Sequence, residues 1–236
     1  MARTVKKRIC TTRLPYRGDA AGGGEKSTEE ILFALAQAVE QRDCQTSGHC
    51  ARMAFISVSI GIALGLDRQS LLTLYQGGYL HDVGKVGIPD SILFKPGKLT
   101  AAEWVVMRSH AVRGEEICRH VKSLAPVLPI IRHHHERWDG TGYPDGLRGG
   151  QIPQLARIVQ VADIYDALTN ARPYKPAMEI SKALRLMQEE TDRGWRDPEL
   201  MKLFIRLHPA VISRADDYTA HSSRGLRALQ AYVGAA

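Results

Sequence analysis

Apolar residues along this chain recur at helical spacing, not at the alternate spacing of strands. Ile31, Leu32, Leu35, Ala38 and Val39 follow Ser27, and Glu30 stands three residues after that serine, the pattern of a capping box. Residues 49–65 are apolar and rich in small side chains, and 68–82 carry Leu71, Leu72, Leu74 and Leu80. A segment opening at Thr100, with Glu103 in capping-box position, runs toward Arg119. Residues 124–135 read as another helix, its regular part confined by Pro126 and Pro129. The stretch 153–171 begins at Pro153, which suits a first helical turn. Residues 179–192 and 197–207 are strongly amphipathic, the second opening at Asp197-Pro198, and a last polar helix covers about 211–232. No segment sustains a period of two between turn signals, so the chain is expected to be all-α, a multi-helix bundle.

Length and composition change this picture little. The 236 residues, 44% apolar and 24% charged, describe a globular chain able to bury a sizeable core. The net charge of +7 favours polyanionic partners. Part of the excess, however, lies in Arg3, Lys6, Lys7, Arg8, Arg13 and Arg17, and charge alone does not indicate DNA binding. Residues 1–24 read as a basic, flexible tail or linker ending in Gly22-Gly23-Gly24, and 25–236 as one domain. The longest uncharged apolar run, Met53 to Leu66, is shorter than the ~20 residues a membrane-spanning helix needs. It is read as a buried core helix, with no transmembrane segment expected. Cys10, Cys44, Cys50 and Cys118 show no CxxC spacing, which fits reduced, buried thiols in a cytoplasmic protein.

The candidate chemistry is histidine-rich. Most of the nine histidines fall between positions 81 and 135, and the chain offers His49, His81-Asp82, His110, His133-His134-His135 and Asp163. Neutral imidazoles suit transition metals, and a carboxylate such as Asp82 can bridge two cations. The loops richest in glycine and proline, 84–98 and 139–153, lie directly beside these residues. Asp163 and Asp166 are three apart and can share a helix face.

The segments HDVGKVGIPDSIL (81–93), HHERWDGTGYPDGL (134–147) and IPQLARIVQVADIYDALTNARPYKPA (152–177) closely resemble the HD-GYP family, a branch of the HD metal-dependent phosphohydrolases. The resemblance is strongest over residues 30–207. It implies an HD-type helical bundle with a two-metal site in its core. His49, His81, Asp82 and Asp163 match the residues that hold a first metal. His110, His134 and His135, with Asp82 as the bridge, match those of a second, and His133 falls one position before the family's pair. The histidine-rich, oxygen-assisted donor set favours iron or manganese, with zinc and nickel as alternatives. The implied reaction is hydrolysis of cyclic di-GMP, ending at pGpG or continuing to GMP, by a hydroxide bridging two cations ~3.5–4 Å apart. Two other readings stand beside it: another cyclic dinucleotide as substrate, or a non-catalytic sensor acting through partner contacts.

Lys85 follows His81 by four, on the same helix face or, since Gly84 signals an ending helix, on the turn beyond. Either position can aim a charge at substrate phosphate, although a helix-terminal lysine also complements the helix dipole. Asp82 and Lys85 are the catalytic candidates. Tyr143, Arg172 and Lys175 are candidate contacts to phosphate or guanine. Asp166 is expected to support the ligands, and Glu136 and Asp139 to make structural ion pairs or supporting bonds. Gly142, Tyr143 and Pro144 form the GYP loop, which the family implicates in contacts with GGDEF proteins; homodimerisation is a further expectation. One departure stands out: where some family members carry a glutamate for a third metal, four residues before the first histidine, this chain has Gln45. Metal counting on the purified protein should therefore give two ions per chain, and time-resolved product analysis should show the linear dinucleotide accumulating. Rapid, complete conversion to GMP would count against this.

Overall fold

The computed structural model describes residues 28–42, 48–171, 176–210 and residue 212. Every regular element among them is helical. The expected tail, the capping box at Ser27, Gln45, Cys10, Cys44, Arg172, Lys175 and the expected last helix lie outside the described residues or side chains. The helices are α1 (Thr28–Arg42), α2 (His49–Ala63), α3 (Arg68–Leu80), α4 (Asp90–Leu93), α5 (Ala101–Arg108), α6 (His110–Cys118), α7 (Leu128–His133), α8 (Gln154–Thr169), α9 (Ile180–Asp192) and α10 (Pro198–Leu207). Short 3-10 turns cover Val83–Gly87, Lys122–Val127 and Gly149–Gln151.

The core forms around α2, which is apolar on nearly every face and so belongs inside. Its Met53, Ile56, Val58 and Ile60 are fully buried. They pack with Leu74 and Leu80 of α3, Ile158 and Val161 of α8, and Phe204 of α10. The amphipathic α9 and α10 close one side, turning Ala183, Met187, Met201 and Phe204 inward. Asp197 caps α10 by accepting from the backbone N–H of Glu199 and Leu200. α2 and α3 approach so closely at Gly78 that a Cβ there would lie 2.6 Å from the backbone nitrogen of Ala54. Among the described residues no helix is long and apolar enough to cross a membrane.

The expected helices appear with local differences that have physical causes. The segment from Thr100 divides at Ser109, whose hydroxyl donates to the Val106 carbonyl at 2.6 Å and tightens the turn between α5 and α6. The Thr100–Glu103 capping box is present. Only 128–133 of the segment 124–135 is α-helix; Pro126 sits in a 3-10 turn and Pro129 in the first turn of α7. Pro153 stands one position before its helix, with ψ 132°, and its carbonyl accepts from Arg157. α3 stops at Leu80, leaving His81 as its cap and Lys85 on the turn beyond.

The Gly78→Ala variant should lose about 1–3 kcal/mol by overpacking two backbones. Gly150→Ala, where an added Cβ meets nothing within 4 Å, should stay within about 0.5 kcal/mol of the parent. Urea denaturation of both variants provides the comparison, and equal midpoints would refute the tight α2–α3 contact.

Candidate metal centre

Four imidazoles have one nitrogen committed elsewhere. His81 Nδ1 lies 3.1 Å from the Gly78 carbonyl, His110 Nδ1 2.8 Å from that of Met107, and His134 Nδ1 2.9 Å from that of Ile131. His49 Nδ1 lies 2.6 Å from the Asp166 carboxylate. Three of these acceptors are carbonyls three residues back at a helix end or joint, where the α-helical ladder leaves oxygens unused. A ring donating through Nδ1 carries its lone pair on Nε2, so these contacts fix the tautomer and aim the free nitrogen. The Nε2 atoms do converge: His49 and His81 stand 3.4 Å apart, His110 and His134 3.5 Å. Burial, followed by the neighbouring His81 and His110, holds His134 well below its ordinary pKa. Burial and His134 do the same for His135. Both are therefore neutral, the form that binds metals.

Asp82 lies between the pairs. Its Oδ2 is 3.4 Å from His81 Nε2, and its Oδ1 is 3.3 Å from His110 Nε2 and 3.8 Å from His134 Nε2. Oδ1 is buried without a hydrogen-bond partner. Burial opposes the charge on Asp82, but Lys85 and then His81 outweigh it and hold the carboxyl well below its usual range. Lys85 Nζ is 2.7 Å from Oδ2. The turn that carries Lys85 is fastened from outside by Arg42 of α1, which donates to the carbonyls of Lys85, Val86 and Ile88, the last at 2.8 Å.

The structure thus brings the seven expected ligands into two adjoining sets, His49–His81–Asp163 and Asp82–His110–His134–His135. In each set one candidate ligand atom per residue lies within 4.8 Å of the others. Asp166, one turn beyond Asp163 on α8, is not part of either set and meets the Nδ1 side of His49. Its carboxylate accepts from His49, from Arg52 Nε and Nη2, and from Asn170. Burial alone would raise its pKa, yet hydrogen bonds from His49 and Arg52 bring it to about 2.

Arg52 and Arg42 were not singled out from the sequence. Arg52 had a signal: a charge three residues after His49, at the edge of an otherwise apolar helix. Arg42 had none, because most of its partners are main-chain carbonyls.

The GYP loop folds onto the second set. The Tyr143–Pro144 peptide is cis. The Tyr143 ring stacks on His135 at 4.8 Å between centroids and 28° between planes. A Cβ at Gly142 would stand 2.2 Å from the Arg137 nitrogen, so close backbone approach sets the residue there, while Gly140 supplies a positive φ of 82°. Among the described residues the side-chain hydrogen bonds of Glu136 and Asp139 go to the loop. Buried Glu136 accepts from the backbone N–H of Asp145 (2.7 Å), Gly146 and Leu147, and Asp139 accepts from Thr141. Both support the loop. His133 gathers with Glu136 and Asp145, but those carboxylates already serve backbone N–H groups and Arg132. Cys50, beside His49, is buried, and burial raises its thiol pKa well above the usual value.

The donor set fits divalent transition-metal ions. Imidazole Nε2 atoms 3.4–3.5 Å apart and a buried carboxylate oxygen without a hydrogen-bond partner are costly unless a cation lies among them.

Comparison with known proteins agrees with this picture. Residues 33–200 match the HD domain family. The chain is 41% identical over 202 residues to a cyclic di-GMP phosphodiesterase response regulator of Xanthomonas campestris, covering 85% of this chain and 53% of that protein. It is 38% identical over 197 residues to 3'3'-cGAMP-specific phosphodiesterase 3 of Vibrio cholerae, covering 83% and 42%. The chain therefore spans about half the length of these relatives. The crystal structure of a cyclic GMP-AMP-specific phosphodiesterase of V. cholerae shares the fold with a TM-score of 0.61 at 21% identity, covering 84% of this chain and 52% of that one.

Asp166→Asn should weaken metal binding at the His49 set by about 10–100-fold, because it removes the charge that orients that ring. It should also lower stability, because the buried carboxylate that accepts from both Arg52 and His49 loses its charge. Metal titration and urea denaturation read the two effects, and unchanged affinity would sink the assignment of Asp166.

Proposed function

This chain belongs to the HD domain family, in its HD-GYP branch, and from that premise we propose that it is a metal-dependent phosphodiesterase acting on cyclic dinucleotides. We take cyclic di-GMP as substrate and the linear pGpG as first product. The observation that carries the reading is the convergence of imidazole Nε2 atoms on Asp82, whose buried Oδ1 has no other partner. Five imidazoles and two carboxylates would hold two divalent transition-metal ions, iron or manganese on this reading, with zinc and nickel as alternatives. Bound there, such ions supply an acidified water and neutralise charge on the phosphate.

The chain's own residues do the rest. His49, His81 and Asp163 make one half of the site, His110, His134 and His135 the other, and Asp82 joins them. The committed Nδ1 atoms of His49, His81, His110 and His134 keep those rings from turning, so the site is organised before substrate arrives. Lys85 holds a positive charge against Asp82 at the edge of the cluster, in reach of a phosphate oxygen. Tyr143, lying on His135, bounds the space beside the second half. Arg172 and Lys175 complete the proposed contacts on the sequence resemblance alone. Because Tyr143 turns inward, Pro144 and the outer loop are what remain for a GGDEF-domain partner.

A second substrate reading is favoured by a specific observation: the similarity to a relative named for 3'3'-cGAMP is nearly as high as that to relatives named for cyclic di-GMP. The complete ligand set argues against a sensor without turnover.

Chromatography of cyclic di-GMP reactions on anaerobically purified protein of known metal content tests the proposal. Turnover should vanish in the His81→Ala/Asp82→Ala double variant, together with bound metal. Lys85→Met should keep its metals and lose about 100-fold in kcat/KM, the scale of one charge acting on the transition state. A wild-type protein holding two metals that cleaves neither cyclic di-GMP nor 3'3'-cGAMP would disprove the phosphodiesterase reading.

A further inference from the structure

One surface helix beside the cluster carries side chains that its own packing does not explain. α5 buries none of its residues, and its Trp104 and Val105 are 45% and 71% exposed. Trp104 and Arg108 are four apart and share a helix face. The Arg108 guanidinium lies 5.6 Å from the Trp104 ring centre and 5.1 Å from that of Tyr143. Tyr143 in turn stacks on His135. A continuous ladder of flat groups thus runs from a candidate metal ligand, through Tyr143 and Arg108, to an exposed indole.

We infer that the exposed face of Trp104, backed by Arg108 and Tyr143, is a stacking platform for a purine base of the substrate, at the rim of the metal centre. The inference rests on the phosphodiesterase reading and names the part of the substrate this face would take. Purine faces stack on aromatic rings and on guanidinium planes, and each such contact strengthens binding without reading hydrogen bonds. The Arg108 charge also suits a ligand carrying two phosphodiesters. Two features favour a base over a protein surface. The ladder begins on a residue of the candidate metal centre, which ties this face to the site and not to a remote surface. Among the described residues Arg108 also makes ring contacts and no ion pair, so its charge is not neutralised by a carboxylate there. A stacking platform accepts guanine and adenine alike, in keeping with a site open to more than one cyclic purine dinucleotide.

Steady-state kinetics and tryptophan fluorescence on metal-loaded wild type, Trp104→Ala, Trp104→Phe and Arg108→Ala test the inference, with cyclic di-GMP as the probe. Trp104→Ala should raise KM about tenfold while kcat changes far less, and Trp104→Phe should recover most of the loss. Arg108→Ala should also raise KM. Metal stoichiometry should be the same in all four proteins. On rapid mixing, cyclic di-GMP should quench wild-type fluorescence through a component absent from Trp104→Phe, since Trp138 and Trp195 remain in both. Turnover with unaltered KM in Trp104→Ala, and the same quench in Trp104→Phe, would overturn the platform and assign this face to a protein partner. Quenching through Trp104 without any wild-type turnover would support the platform and sink the phosphodiesterase reading. Absence of both would overturn both.

Discussion

An imidazole has two nitrogens, and committing one decides what the other can do. Here the commitment is made by backbone at helix ends for His81, His110 and His134, and by a buried carboxylate for His49. The rest of the centre follows from that constraint. The rings cannot flip without stranding an N–H in the interior, so their free nitrogens stay aimed at one small volume. The bundle provides the acceptors cheaply, because terminal carbonyls of a helix lack partners in any case. Breaks between helices are therefore as much a part of the site as the helices.

Charge balance is the second layer. The described part of the centre combines acceptor-rich carboxylates with two flanking cations, Lys85 on Asp82 and Arg52 on Asp166. Each cation keeps a buried or half-buried carboxylate ionised, while crowding and burial keep His134 and His135 neutral. Asp163 and Asp166, three residues apart on one helix, divide the work accordingly. One contributes to the ligand set, and the other fixes a ligand ring and neutralises an arginine. Spacing alone allowed both to share a face; it did not say which would point at the centre.

Much of the fold was legible because helical periodicity is a property of the residues themselves. Where the reading missed, the deciding partner was not in the pattern. Ser109 divides α5 from α6 by bonding a main-chain oxygen, which no hydrophobic period records. The ligand set became legible through its motifs; as isolated histidines at 49, 81, 110, 134 and 135, it had no spacing rule to join them. Glu136 and Asp139 carried the same chemical label as Asp166 but hold loop backbone, a difference that depends on tertiary placement. Trp104 and Arg108 were not singled out from the sequence; only the fold, which sets Arg108 over the Tyr143 ring, connects them to the centre.

The contact between His49 and Asp166 joins residues 117 positions apart. Loop closures of that length are completed late, after local helices exist. An unfolded chain offers scattered imidazoles but no common volume, so high affinity for a cation arises only with the finished bundle. By mass action the bound ion then returns that preference as resistance to unfolding, about 2.7 kcal/mol for a site at a hundred times its dissociation constant. Ions held at such a centre would thus add to the stability of the folded chain in step with their supply, apart from any part they play in chemistry.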